Sequence, residues 1–394
     1  MNSHPNTGKT NKNENAVLGI DIGSAHLRAC ITSGKNILGT FEVTSSGVQN
    51  GYVTEAAIFE EDLMELLLKV NSSLGFVPKK IVTGISTRMQ NSVSASGNII
   101  TGRSDGLILE NDIDECIKKA KQKIDINKNC EIIHTLIIKK IVDDNIIYGE
   151  MSGLKGYKIE LKVLFIYEDR KNQKIIYDVF DRLGISLDQV VSGPFAESLV
   201  ALNKKDMRLG TCSINVGLSN TSLVVYENNY PMLCSIISGG GENITSDLSL
   251  GLRMSYVEAE EIKKGVSKSE SGKRRVEEII EARINYLNNK INEELKRVKR
   301  SELLPGGLVI SGGTSGLSKI DQYMRYDLKI PTSLSTRKIE DLTSPNLRNF
   351  LTPENIRSYG IAMLYDKSYE SSIYFEYVNK IYKTIFSKIK KYLP

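Results

Sequence analysis

Two short stretches carry the residues from which phosphate chemistry can be built. In "GIDIGSAHLRACI" (Gly19–Ile31), Asp21 stands near the end of an apolar run and is followed by Gly23, Ser24 and Ala25. Backbone N–H groups in such a small-residue turn cradle phosphate oxygens, the Ser24 hydroxyl adds a donor, and the Asp21 carboxylate suits a hydrated Mg²⁺. "SINVGLSNTSLVV" (Ser213–Val225) repeats the arrangement, with Asn215 where a carboxylate would stand and then Gly217, Ser219, Asn220 and Thr221. An uncharged amide at 215 weakens metal organisation and water activation but leaves phosphate binding intact. The pair therefore reads as a binding switch with slow or negligible hydrolysis. Taken singly, either stretch also suits an ordinary hairpin. Gly312, Gly313 and Thr314 in "ISGGTSG" offer a backbone that a flat ring can approach closely, and Gly239-Gly240-Gly241 either lines the same cleft or starts a helix.

The elements that must position these residues follow from periodicity. Val17–Ile22 reads as a buried strand with a returning strand at 27–31, and a helix spans about Glu60–Leu74 with Leu63, Leu66, Leu67 and Val70 in helical spacing. From about Ser86 to Phe165 strands surround one helix, Asp112–Ile124, as in a small inserted α+β subdomain. A helix at about Asn172–Leu183, a strand around Val190 and a helix at Pro194–Leu202 precede a second strand–turn–strand lobe. That lobe carries charged helices at Ser255–Lys264 and Arg275–Arg300. Each lobe thus opens on a hairpin with a small-residue turn.

Composition narrows the class. The 394 residues suffice for two lobes, and 40% hydrophobic with 25% charged residues is ordinary for globular proteins. A net charge of +5 alone argues neither for nor against nucleic acid. Five scattered cysteines without a CxxC pair suit a reducing compartment, and three distant histidines give little basis for metal or acid–base chemistry. The polar N-terminus lacks a signal-peptide core, and no apolar run is long enough to span a membrane. Gly8-Lys9-Thr10 imitates the end of a P-loop, but Ser3 stands where that motif needs its first glycine.

The order of these motifs, with "AEEIKK" between the second clamp and the late glycine turn, resembles the actin and sugar-kinase ATPase superfamily. Within it, the chain resembles the FtsA family of bacterial cell-division actin homologues over roughly Val17–Leu364. "GYVTEAAIF", "SGPFAESLVAL", "GGENITSDLSLGL" and "SYGIAML", together with the insert, carry that narrower likeness. The resemblance implies a two-lobed actin-like (ribonuclease H-like) α/β ATPase fold. Its divisions are a disordered tail at 1–15, a first lobe at 16–85 and 167–205, the inserted subdomain at 86–166, and a second lobe at 206–365. A helical subdomain at about 245–303 lies within the second lobe. It implies ATP and Mg²⁺ as ligands, with Asp21, Gly23, Ser24, Ala25, Asn215, Gly217, Ser219, Asn220 and Thr221 at the phosphates and Asp21 at the metal. Gly240 and Gly241 approach the nucleotide, Glu260 and Lys263 its ribose and base, and Gly312, Gly313 and Thr314 the adenosine. For Glu260 and Lys263 a solvated helix face is the alternative.

The chain closes with "IYFEYVNKIYKTIFSKIKKYLP". Tyr374, Val378, Ile381, Tyr382, Ile385, Phe386, Ile389 and Leu393 recur at helical spacing, and Lys380, Lys383, Lys388, Lys390 and Lys391 take the remaining surface. This pattern suits the surface of an anionic membrane, each lysine there contributing about 1 kcal/mol. A final helix packed on the protein's own core is the alternative. FtsA proteins resemble this in ending on a membrane-targeting amphipathic helix, here 373–394 after a linker at 366–372. The likeness further implies self-association into filaments and recruitment of the FtsZ C-terminal peptide and other divisome proteins. It places the protein on the cytoplasmic face of the inner membrane at the division site, with no nucleic-acid partner. A PilM-like pilus-assembly homologue and a sugar-kinase-type phosphotransferase are the competing readings.

Overall fold

The computed structural model describes residues 15–34, 36–265, 270–336 and 345–365. They divide into two compact units, one spanning Asn91–Arg170 and the other holding the described residues on either side up to Tyr365.

In the larger unit, β1 (Ala16–Ile22) is buried along its whole length, as an apolar run without alternation requires. β2 (His26–Ser33) and β3 (Asn36–Thr44) fold back from it antiparallel. A short ladder, β4 (Val48–Gln49) with β5 (Tyr52–Val53), leads into α1 (Ala56–Leu74). The helix starts a turn before the periodicity suggests, because Phe59 already belongs to its buried stripe with Leu63, Leu66, Leu67 and Val70. Burying side chains of this size stabilises the fold by roughly 1.5–3 kcal/mol each. β6 (Lys80–Ile85) then pairs parallel with β1.

The smaller unit is an antiparallel sheet carrying one helix. Its elements are β7 (Asn91–Ile100), α2 (Glu110–Lys121), β8 (Cys130–Val142), β9 (Asn145–Ile146) and β10 (Lys158–Asp169), in the sheet order β7-β10-β8-β9. The apolar stripe of α2, Ile113, Cys116, Ile117 and Ala120, packs with Ile159, Leu161, Val163 and Phe165 of the sheet. The unit begins at Asn91 rather than Ser86. Gln90 is fully buried in the larger unit, donating to the Ile85 carbonyl at 3.2 Å.

The chain continues through α3 (Arg170–Arg182), β11 (Gln189–Ser192), α4 (Gly193–Ala201) and α5 (Lys204–Leu209) into the second lobe. There β12 (Thr211–Val216), β13 (Asn220–Glu227) and β14 (Tyr230–Ser238) form a meander. Three helices follow, α6 (Gly241–Leu252), α7 (Tyr256–Lys263) and α8 (Glu270–Arg297). Next come β15 (Leu308–Ser311), a 3₁₀ turn at Gly313–Gly316, α9 (Ile320–Leu328), β16 (Thr332–Leu334), α10 (Pro345–Phe350) and α11 (Ile356–Tyr365).

The two large sheets share one topology. The first runs β3-β2-β1-β6-β11 and the second β14-β13-β12-β15-β16. In each, an antiparallel meander is extended on its first strand by two parallel strands. Each sheet also has its own apolar core, the first including Phe59 and Phe180, the second Leu248, Ile284 and Met324. The expected N-terminal tail up to residue 14, the linker at 366–372 and the amphipathic helix at 373–394 lie outside the described residues. Among the described residues no helix is long and apolar enough to cross a membrane.

Candidate functional site

A cavity of about 350 Å³ opens between the two sheets of the larger unit, where both small-residue turns meet. Asp21, Gly23, Ser24 and Ala25 line it from the β1–β2 turn, and Asn215, Gly217, Ser219 and Asn220 from the β12–β13 turn. Glu260 and Lys263 of α7 and Gly312, Gly313 and Thr314 after β15 complete the expected set. Thr221, Gly240 and Gly241 do not line it. The Thr221 hydroxyl donates to the Gly239 carbonyl at 2.7 Å, and the two glycines form the layer behind the second turn.

That layer shapes the turn. The N–H groups of Gly241, Glu242 and Gly239 donate to the carbonyls of Gly217, Leu218 and Ser219 at 2.9, 2.9 and 3.1 Å. In a planar trans peptide the N–H points opposite the C=O. Three consecutive carbonyls held towards the start of α6 therefore turn the N–H groups of Leu218, Ser219 and Asn220 the other way, and all three residues line the cavity. This is a concave row of donors suited to an anion. A Cβ on Gly240 would lie 2.4 Å from the Leu218 carbonyl oxygen, so the approach requires glycine. In the first turn, Ser24 Oγ accepts from the Gly51 N–H at 3.1 Å, which leaves its own proton to donate.

Beneath the turns lies a charged cluster that the sequence reading did not assign. Glu197 on α4 is 1% exposed and accepts from three side chains. Asn215 Nδ2 donates to its two oxygens at 3.2 and 3.0 Å, Arg357 Nε donates at 2.7 Å, and Ser311 Oγ donates as well. Arg357 is further fixed by donating to Ser86 Oγ at 3.2 Å and to Ser222 Oγ at 2.9 Å. Strand register explains the floor, for Ser222 of β13 and Ser311 of β15 flank Asn215 of β12 on either side. Arg357 reaches the site because α11 packs backbone to backbone on its neighbours. A Cβ on Gly19 of β1 would lie 2.4 Å from the Ala362 nitrogen, and one on Gly360 2.4 Å from the Ala196 carbonyl oxygen.

Electrostatics follow from this burial. Desolvation raises the Asp21 pKa, opposed by the Arg357 and Arg28 charges. Arg357 Nη1 lies 4.0 Å from Asp21 Oδ1. Desolvation alone would lower the Arg357 pKa, but the Glu197 and Asp21 carboxylates outweigh it and the guanidinium is held charged. On α7, burial would raise the Glu260 pKa, yet hydrogen bonds from Lys263 at 2.6 Å and from Thr245 at 2.6 Å lower it overall. Lys263 also donates to the Gly241 carbonyl at 3.2 Å, tying α7 to the start of α6. Cys30 and Cys212, in the strands beside the turns, are fully buried, and desolvation raises both thiols far above their ordinary range. They serve as packing.

The FtsA family, cell division protein FtsA, matches residues 212–351 of the chain. The Bacillus subtilis cell division protein FtsA is 23% identical over 77% of this chain and 75% of its own length. The Neisseria meningitidis FtsA is 27% identical over 79% and 82%. The chain is similar to FtsA proteins. Among solved structures, the PilM-PilN type IV pilus biogenesis complex aligns with a TM-score of 0.65 at 16% identity, over 88% of this chain and 97% of that one. MreB5 of Spiroplasma citri bound to ADP aligns at 0.53 and 11%, over 92% and 100%. These structural likenesses show that the chain has the actin-like α/β fold that the resemblance implies.

Proposed function

We propose that the chain is a cell-division actin homologue that binds ATP in the inter-sheet cavity and tethers FtsZ to the cytoplasmic face of the inner membrane. The row of N–H groups at Leu218, Ser219 and Asn220 carries the nucleotide reading. It supplies donors to phosphate oxygens from the second lobe, while the Ser24 hydroxyl supplies one from the first. Gly313, where a Cβ would meet nothing, leaves room for the flat base, with Glu260 and Lys263 held beside it. Similarity to FtsA proteins over about three quarters of the chain supports the cell-division role.

We expect slow hydrolysis at this site from the amide at 215. Orienting a water for attack needs a carboxylate with a free oxygen near the terminal phosphate. Glu197 is occupied by three donors and Asn215 is neutral, so neither takes that part. Bound nucleotide then acts as an assembly switch for filaments, and filaments multiply weak membrane anchors through avidity. The lysine-flanked apolar face at 373–394 is the proposed anchor, with the FtsZ C-terminal peptide and other divisome proteins as partners.

Co-sedimentation with anionic liposomes tests this reading, using the intact chain and one ending at Ser372, each with and without purified FtsZ. The intact chain should carry FtsZ into the pellet and the shortened one should not. If both stay in the supernatant, the tether is refuted.

A further inference from the structure

The floor of the cavity holds two charged groups with different tasks. Asp21 is buried and its Oδ1 carries no hydrogen bond, so it is free to take a hydrated Mg²⁺ beside bound phosphates. Arg357 belongs to neither turn. Its Nη1 lies 4.0 Å from Asp21 Oδ1 and donates to Ser86 Oγ, just past the end of β6 in the first sheet. Its Nη2 donates to Ser222 Oγ, which strand register places beside Asn215 in the second sheet. The guanidinium therefore stands between the two half-sites, one terminal nitrogen on each. Arg357, Ser86 and Ser222 all line the cavity.

We propose that Arg357 binds the terminal phosphate of a nucleoside triphosphate and makes the site prefer the triphosphate to the diphosphate. The inference rests on the nucleotide reading above and adds a specificity-determining residue to it. With the base toward Gly313, Glu260 and Lys263 and the phosphates held between the two turns, the free end of the phosphate chain points to the floor between Asp21 and Asn215. A third phosphate reaches Arg357, and a diphosphate stops short of it. The donors are present. A guanidinium has five N–H groups, and Glu197, Ser86 and Ser222 engage one on each nitrogen. Among the described residues this leaves one N–H on each terminal nitrogen, in the planar fork that suits phosphate oxygens. Glu197 balances the guanidinium charge at Nε, so discrimination comes from aimed, charge-assisted hydrogen bonds more than from net charge. The fork is also set in advance. Arg357 is 7% exposed, anchored at all three nitrogens, and carried on a helix packed backbone to backbone at Gly19 and Gly360, so little ordering is left to offset on binding. Asn215 belongs to the same arrangement, for its amide gives Glu197 a donor and leaves that carboxylate to hold Arg357 in place. A metal on Asp21 is compatible with this contact, since a phosphate has oxygens for both.

The test is equilibrium binding of ATP and ADP to the full chain in excess Mg²⁺, read as displacement of a fluorescent ATP analogue. The wild type should bind ATP about tenfold or more tighter than ADP. Arg357→Gln should lower ATP affinity by about tenfold and change ADP affinity by less than about threefold. A merely structural role would weaken both nucleotides together. A wild type that binds the two within about threefold of each other overturns the proposal and leaves the nucleotide reading standing. A folded variant that keeps the preference, or loses ADP as strongly as ATP, overturns it too. No binding of the analogue or of either nucleotide is a distinct result, which removes the nucleotide reading and the proposal with it. Should Arg357→Gln alone fail to fold, the double variant Glu197→Gln with Arg357→Gln removes the buried carboxylate that the single change strands, and carries the same comparison.

Discussion

Replacing Asn215 by Asp would seem to repair the second phosphate turn, yet the surroundings of this side chain predict damage. Its Nδ2 lies 3.2 and 3.0 Å from the two oxygens of Glu197, which is 1% exposed. Asn215→Asp sets a second carboxylate against the first, and two buried carboxylates at that distance do not both ionise. The pair keeps one proton. Holding a proton at pH 7 on a group whose ordinary pKa is about 3.9 costs about 4 kcal/mol, at 1.36 kcal/mol per unit. The Arg357 guanidinium, 2.7 Å from Glu197, offsets part of this, so the expected loss is about 2–4 kcal/mol. The sign of the pH dependence follows. The variant's folded pKa is raised, its native state binds the extra proton, and its deficit grows as pH rises above about 4, at up to roughly 1.4 kcal/mol per unit. Urea unfolding followed by far-UV circular dichroism at about pH 5, 6 and 7 measures the difference from wild type. A deficit under about 1 kcal/mol at pH 7, or one that does not change with pH, would refute the Glu197 contact as its cause.

Three further outcomes follow from the same contacts. Glu197→Ala strands a buried guanidinium and should cost about 3–5 kcal/mol, whereas the double change with Arg357→Met should cost less than the sum of the singles; strict additivity in that cycle would argue against the pair. Burial pushes the His134 imidazole down to about 3. The unfolded chain then binds the extra proton between about pH 6.5 and 3, and stability falls with acid there by up to roughly 1.4 kcal/mol per unit. His134→Gln should flatten that dependence by one proton, and an unchanged slope in acid titrations of unfolding would count against it. Gly19→Ala places a methyl 2.4 Å from the Ala362 nitrogen and 2.5 Å from the Ser358 carbonyl oxygen. It should cost about 1–3 kcal/mol, and a melting temperature within a degree of wild type would show that α11 has room to move.

Much of the fold was legible because its signals are local. β1 is an apolar run interrupted by Asp21, α1 carries its stripe at helical spacing, and each lobe opens on a hairpin whose small turn residues are evident in the text. The turn residues that line the cavity were legible for the same reason. Glu197 and Arg357 were not, for their partners are far away in sequence. Arg357 Nε reaches across 160 positions to Glu197 and its Nη1 across 271 to Ser86. The available signal was an arginine inside "NIRSYGIAML" and a glutamate inside "GPFAESLVAL", each a charge in a segment otherwise apolar enough to be buried. Gly240 and Gly241 pack behind the second turn and do not line the cavity. Sequence shows that a glycine permits close approach, but not whether the approaching group is a ligand or, as here, the back of another turn.

The shared strand order of the two large sheets has a consequence for Asn215. Asp21 lies between Arg28 and Gly84 on its neighbouring strands, and Asn215 between Ser222 and Ser311. The molecule thus holds two copies of one half-site on matching backbone frames, the first with an acid beside an arginine, the second with an amide between two hydroxyls. One frame carries fixed charge and the other carries dipoles. The second copy, lacking an acid of its own, turns its amide to Glu197 and so helps mount an arginine supplied by the chain's last described helix.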